Sequence, residues 1–204
     1  MKLNYFDLGL HKRANEIDIF LELCRKNNYS YKIYGFEAHL EYCKSLEKKY
    51  RHDKNITIIN RAISNKNGIE KLYINEIYDG HGNSIFLTKS NIIKDKFITV
   101  KSILFSEWIN ENIPNFKNEN NILKFNIEGA EWHLMNDLND SGLLKYFKIY
   151  LGSHLDMKKV SELHDYVKDY ENILKTNNIK VEKFVGSKNS NNCDLVSLIK
   201  EKFN

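Results

Sequence analysis

The chain has 204 residues, 42% of them hydrophobic and 12% aromatic, enough to bury roughly 70% of its unfolded surface as one ordinary-sized unit and to exclude wholesale disorder. Its net charge of +4 is mild and its basic residues are spread among acidic ones, so there is no concentrated footprint for specific nucleic-acid binding. No apolar run approaches a membrane span, the N-terminus lacks a signal-peptide pattern, and Cys24, Cys43 and Cys193 are odd in number and far apart. A cytoplasmic protein with reduced thiols and no membrane partner is expected.

In chain order, a strand at Leu3-Asn4-Tyr5-Phe6 ends at Asp7-Leu8-Gly9, and Ile17, Phe20, Leu21 and Cys24 then form a helical stripe. A second strand, Tyr31 to Phe36, ends on Glu37 and leads to a helix with Leu40, Cys43, Leu46 and Tyr50 inward. A third strand, Ile56 to Ile59, ends at Asn60-Arg61-Ala62. This βαβαβ pattern predicts an α/β fold with a parallel sheet. Asn67-Gly68 predicts a turn between Ala62-Ile63-Ser64 and Ile69 to Ile74, hence an antiparallel excursion. Asp79 to Ser84 reads as a loop, Phe97 to Val100 as a strand, and Leu104 to Ile113 as a short helix.

The stretch that organises the chain is Asn120 to Glu131. Ile122-Leu123-Lys124-Phe125-Asn126-Ile127 reads as a buried strand that stops at Glu128-Gly129, after which Leu134, Met135 and Leu138 fall at helical spacing. A further strand at Phe147 to Leu151 ends at Gly152-Ser153-His154, followed by a helix with Val160, Leu163, Val167, Tyr170 and Leu174 on one face. Ile179 to Phe184 and Leu195 to Ile199 read as two final strands joined by a turn-rich segment. No repeat, linker or second domain is seen.

Ligands of open α/β sheets collect at the carboxyl ends of strands, where Asp7, Glu37, Asn60, Asn126, Glu128 and Glu131 fall. An acidic residue at the tip of the second strand, about 30 residues after a Gly-containing first turn, suits the two hydroxyls of a ribose, though Glu37 also suits a helix start. Seven histidines contain no metal-binding spacing, so His154-Leu155-Asp156 beside Glu128 is weighed as a ligand set and set aside.

Taken together, Asp7-Leu8-Gly9, Tyr34-Gly35-Phe36-Glu37-Ala38-His39, Asn60 to Gly68, Gly82-Asn83-Ser84 and Leu123 to Glu131 resemble the FkbM family of S-adenosylmethionine-dependent methyltransferases, in order and at the family's spacing, over about residues 3 to 154. The resemblance implies a Rossmann-like class I methyltransferase fold: a mostly parallel seven-stranded sheet ending in a C-terminal antiparallel hairpin, forming one domain over 1–204. It implies S-adenosylmethionine as cofactor, with Asp7 and Gly9 beside its methionine part, Glu37 on the ribose, Asn60 and Ala62 bordering the adenine, and Asn126 and Glu128 at the reacting end. The implied reaction is methylation of a hydroxyl oxygen on a small-molecule or glycan acceptor. Lys124, Glu128 and His154 are the candidates for assisting the departing proton.

Two positions depart from the family pattern. Arg13 stands where a second Gly is usual, and is expected either to crowd the cofactor's amino-acid end or to start the helix with its guanidinium outward. Asn126 stands where Asp is more common and can serve neither as a base nor as a strong hard-cation ligand, which counts against a Mg-dependent mechanism and is compatible with metal-free transfer. The alternative to an active enzyme is therefore a degenerate member acting as a binding module. A nicotinamide oxidoreductase is disfavoured because Gly-x-Gly-x-x-Gly is absent after the first strand. The chain starts just before its first strand, so no N-terminal lid is expected. The acceptor site would come from Ile77 to Lys96, from the loop after Gly152, or from a second subunit in a homo-oligomer.

Overall fold

The computed structural model describes residues 1–75, 82–90, 92, 95–153, 156–184 and 193–203. In chain order the elements are β1 (Lys2–Leu8), α1 (Asn15–Asn27), β2 (Ser30–Phe36), α2 (Leu40–Tyr50), β3 (Ile56–Ile59), β4 (Ala62–Ile63), β5 (Gly68–Tyr73), β6 (Phe97–Ile103), α3 (Phe105–Asn112), β7 (Asn121–Phe125), α4 (Glu131–Asp140), β8 (Phe147–Gly152), α5 (Val167–Thr176), β9 (Val181–Glu182) and α6 (Leu195–Phe203). The six-stranded sheet runs β3-β2-β1-β7-β8-β9, with every neighbouring pair parallel. The order reverses between β1 and β7, which is where an open α/β sheet leaves a crevice at its strand ends.

All five residues of β7 are buried, as a central parallel strand covered on both faces requires. One face packs Phe6, Leu123, Phe125 and Phe147 against α3, α4 and α5 through Phe105, Leu134 and Tyr170. The other packs Tyr5, Ile122 and Leu151 against α1, α2 and α6 through Phe20, Leu46 and Ile199. Such a doubly wound α/β sheet is the architecture the strand-helix alternation predicts. No described helix is long and apolar enough to cross a membrane.

Three local expectations are corrected. Ala62–Ile63 and Gly68–Tyr73 do not pair with each other; β6 lies between them, parallel to β4 and antiparallel to β5. The Asn67-Gly68 turn instead wraps the end of β6, where Leu104 N–H donates to Asn67 Oδ1 at 2.9 Å and Ser102 Oγ–H to the Lys66 carbonyl at 3.1 Å. After β8 the chain makes tight 3-10 turns at Asp156–Lys159 and Ser161–Tyr166, and α5 begins only at Val167.

The third correction is the C-terminus. Instead of seven strands ending in an antiparallel hairpin, the described residues give six parallel strands, with α6 in place of the last one. Leu195, Leu198, Ile199 and Phe203 follow a helical period. Asp194 caps the helix, accepting Ser197 N–H on Oδ1 at 3.1 Å and Ser197 Oγ–H on Oδ2 at 2.7 Å. Ser in place of Ala at such a cap is worth about 1 kcal/mol, and Asp is comparable. Asp194→Ala is therefore expected to lower stability by about 1 kcal/mol in denaturant titration; no change would mean that the cap does not support α6.

Candidate functional site

The tips of β1, β2 and β7 surround an open cleft. Its wall includes Gly9, Glu37, Ala62, Asn126 and Glu128, five of the nine candidate site residues. The glycine is required by geometry. Gly9 has φ +87°, and a Cβ there would stand 2.1 Å from the Asn126 carbonyl oxygen. This close approach is fixed by Asn126 N–H donating to the Leu8 carbonyl at 3.0 Å and by Gly9 N–H donating to that of Phe36 at 3.0 Å.

Glu37 follows β2 with its carboxylate held by two backbone amides, His11 N–H on Oε2 at 2.7 Å and His39 N–H on Oε1 at 2.8 Å. His11 reaches that position through a left-handed turn, φ 56°. The two imidazoles pack on Tyr42, His39 stacked at 4.1 Å between ring centroids and His11 edge-on at 5.5 Å. Burial pushes the Glu37 carboxyl up to about 7, although the two amides and the Lys124 ammonium pull it down. Asn60 stands behind the wall, its Nδ2 donating to the carbonyls of Glu37 and Ala38, both at 2.9 Å. Its role is to fix the backbone of the β2 tip.

Asp7 and Lys124, expected at the cofactor and at the reacting proton, lie beneath the cleft. They are register partners on β1 and β7, paired at 2.8 Å, with Glu16 3.9 Å from the ammonium and the Gly9 carbonyl accepting from it at 3.3 Å. Lys124 is 1% exposed. Burial works against its charge, but Asp7 and Glu16 outweigh this and hold its pKa above the ordinary lysine range. Burial likewise raises Asp7 to about 7 against the pull of Lys124. A charged, buried ammonium is no proton acceptor, which corrects the expectation for Lys124; its contacts make it a support for the Gly9 turn.

The turn after β7 is closed by Glu131. This fully buried carboxyl accepts Gly129 N–H at 2.9 Å and Ile127 N–H at 3.3 Å. Between them Glu128 takes a left-handed conformation, φ 57°. Asn126 Oδ1 is buried beside the cleft without a hydrogen-bond partner among the described residues. Glu128 pairs through Oε2 with Lys89, a buried lysine in the segment Gly82–Ser90. Sequence reasoning missed Lys89 because a single lysine in an irregular segment carries no periodicity or motif.

His154 lies outside the described residues. Arg13 is exposed, and the left-handed positions of the first turn are His11 and Ala14 rather than Arg13, so the turn does not demand glycine at 13. The helix begins at Asn15.

No protein-family model and no curated protein matches the sequence. Among solved structures, the chain is similar to methyltransferase FkbM from Methylobacillus flagellatus KT, with 12% identity and a TM-score of 0.46, over 84% of this chain and 36% of that one. It is also similar to yeast methylglyoxal/isovaleraldehyde reductase Gre2, solved with NADPH, with 8% identity and a TM-score of 0.42, over 90% of this chain and 56% of that one. The chain thus spans about a third of the first structure's length and just over half of the second's.

Burial raises the Glu131 carboxyl from 4.5 to about 8, with nearby Asp156 and Glu128 adding to the shift against the backbone hydrogen bonds. The fold therefore favours its neutral form, and that stabilisation is present below pH 4.5 and lost as pH climbs to about 8. Glu131→Gln gives up one acceptor and should be about 1–3 kcal/mol less stable at low pH. Across the same window it should also lose less stability than the natural protein. Parallel pH profiles in denaturant titration would contradict the buried neutral carboxyl.

Proposed function

We propose that the chain is an S-adenosylmethionine-dependent methyltransferase acting on a hydroxyl oxygen of a small-molecule or glycan acceptor. The observation that carries the reading is the Glu37 carboxylate. With two backbone amides fixing its plane, each oxygen keeps a lone pair for a hydroxyl donor at the cleft, the arrangement a ribose diol needs. Ala62 leaves room for a flat base beside Arg61 and Tyr42, all three on the cleft wall. Asn126 Oδ1, buried and without a partner among the described residues, fits a hydrogen-bond donor, either the cofactor's ammonium or the acceptor's hydroxyl. The residues thus fit the group, which when bound supplies a methyl on a sulfonium centre.

The protein's share of the work is positional. Gly9 lets the β1 turn lie against β7, and Lys124 holds its carbonyl from below. Asn126 orients the donor at the reacting end, and Glu128 is the carboxylate placed to take the acceptor's proton. The three cysteines, all free thiols, agree with a cytoplasmic setting.

A second reading has one observation in its favour. The all-parallel order β3-β2-β1-β7-β8-β9 is also that of dinucleotide-binding sheets. Against it, the first turn, Gly9-Leu10-His11-Lys12-Arg13-Ala14, holds one glycine where pyrophosphate binding uses three.

Calorimetric titration with S-adenosylmethionine, S-adenosylhomocysteine and NADPH, at two temperatures, separates these. Micromolar binding of S-adenosylhomocysteine is expected, weakened about 10- to 100-fold in Glu37→Ala, the loss typical of charged hydrogen bonds. Heat with NADPH alone, or no heat with any of the three, would overturn the proposal. Cofactor binding without transfer to any acceptor would identify a degenerate binding module.

A further inference from the structure

The segment Gly82–Ser90 contains no helix or extended strand, yet it forms part of the cleft wall through Gly82, Asn83 and Ile85. It is anchored at both ends. Ser84 exchanges backbone hydrogen bonds with Tyr73 at 2.8 and 3.1 Å, and Ser90 N–H donates to the Lys159 carbonyl at 3.0 Å, next to a bridge between Lys89 and Val160. Phe86 packs over Gly129 of the β7 turn, and the segment's two polar contacts with that turn both fall at Glu128. Ser84 Oγ–H donates to the Glu128 carbonyl at 2.7 Å, and the Lys89 ammonium pairs with Glu128 Oε2. Lys89 also donates to the Gly82 carbonyl at 3.1 Å, closing the segment on itself.

Two features make this contact more than a surface ion pair. The Lys89 side chain is 1% exposed, and a charge so removed from water is tolerated only with a partner; Glu128 is its ion-pair partner. Glu128, with a side chain 23% exposed and a left-handed backbone, occupies a conformation that persists only when its surroundings fix it. Lys89 therefore depends on Glu128, whose backbone is held by the Glu131 carboxyl on either side and whose side chain is held by Lys89. Lys89 engages Oε2 of the Glu128 carboxylate.

We propose that Lys89 is a positioning residue: its ion pair with Glu128 is the latch that seats the strap 82–90 against the cleft and, through the same bond, aims the Glu128 carboxylate at the acceptor. The latch stands on geometry alone; only the role it gives that carboxylate rests on the methyltransferase reading.

Hydrogen–deuterium exchange of the unliganded chain tests it. Lys89→Met and Glu128→Gln should each speed exchange of the amides of residues 84–90 about tenfold or more, with those of β1, β2 and β7 unchanged. Lys89→Arg should restore slow exchange. The double variant Lys89→Met/Glu128→Gln, which buries no lone charge, should keep the global fold and show the same local acceleration as either single change. It carries the comparison if a single variant does not fold. Unchanged exchange in 84–90, acceleration spread through the sheet, or no rescue by Arg would overturn the latch. A chain that shows the local pattern but binds no S-adenosylhomocysteine would keep the latch and lose the cofactor reading; the reverse result would do the opposite.

Discussion

A lysine ammonium and an aspartate carboxylate, both shut away from water, join β1 to β7 directly beneath the cleft. Lys124 and Asp7 are opposite each other in register, and the ammonium also reaches the Gly9 carbonyl. A buried pair of this kind contributes little net stability, because desolvating two charges offsets most of their attraction, but losing one partner strands the other. Its consequence here is geometric. It ties the first turn to the central strand, so that Gly9 lies against the Asn126 carbonyl and the tips of β1 and β7 form one surface.

The cleft wall carries carboxylates together with the Arg61 guanidinium. Two lysines, 124 and 89, are turned inward and spent on protein partners, while Glu37, Glu128 and Asn126 Oδ1 border the cleft. These groups are hydrogen-bond acceptors, and they suit a ligand rich in donors, such as a ribose diol, an ammonium or a hydroxylated acceptor. Glu37 and Glu131 show the same device at work, since each carboxyl is set by two backbone amides rather than by a cation. One fixes the ligand-facing wall and the other the turn that bears Glu128.

Much of this was legible in the sequence because the signals were local. The buried run of β7, the stripe of α1 and the acidic residue closing β2 are patterns of period and position, and the structure places them as read; of the α2 stripe, Cys43, Leu46 and Tyr50 are buried, whereas Leu40, in the first turn of the helix, is exposed. What the sequence concealed depends on distant residues. Lys124 could face a ligand or the interior, and only its register opposite Asp7 decides. Asn60 looked like a ligand contact and turned out to brace the β2 tip. Leu195 to Ile199 is a short apolar run compatible with either period, and the cap at Asp194 tips it to helix. Lys89 gains meaning only from Glu128, 39 residues away.

Whether the cleft between β1, β2 and β7 holds an adenosyl cofactor on Glu37 can be read from backbone amides in an NMR titration with S-adenosylhomocysteine. The His11 and His39 amides donate to the carboxylate that would take the ribose, and Gly9 and Asn126 flank the same wall. These four amides are expected to shift most, together and at one saturating concentration. Saturable shifts confined to the outer faces of α4 and α5, or none at all, would contradict that placement.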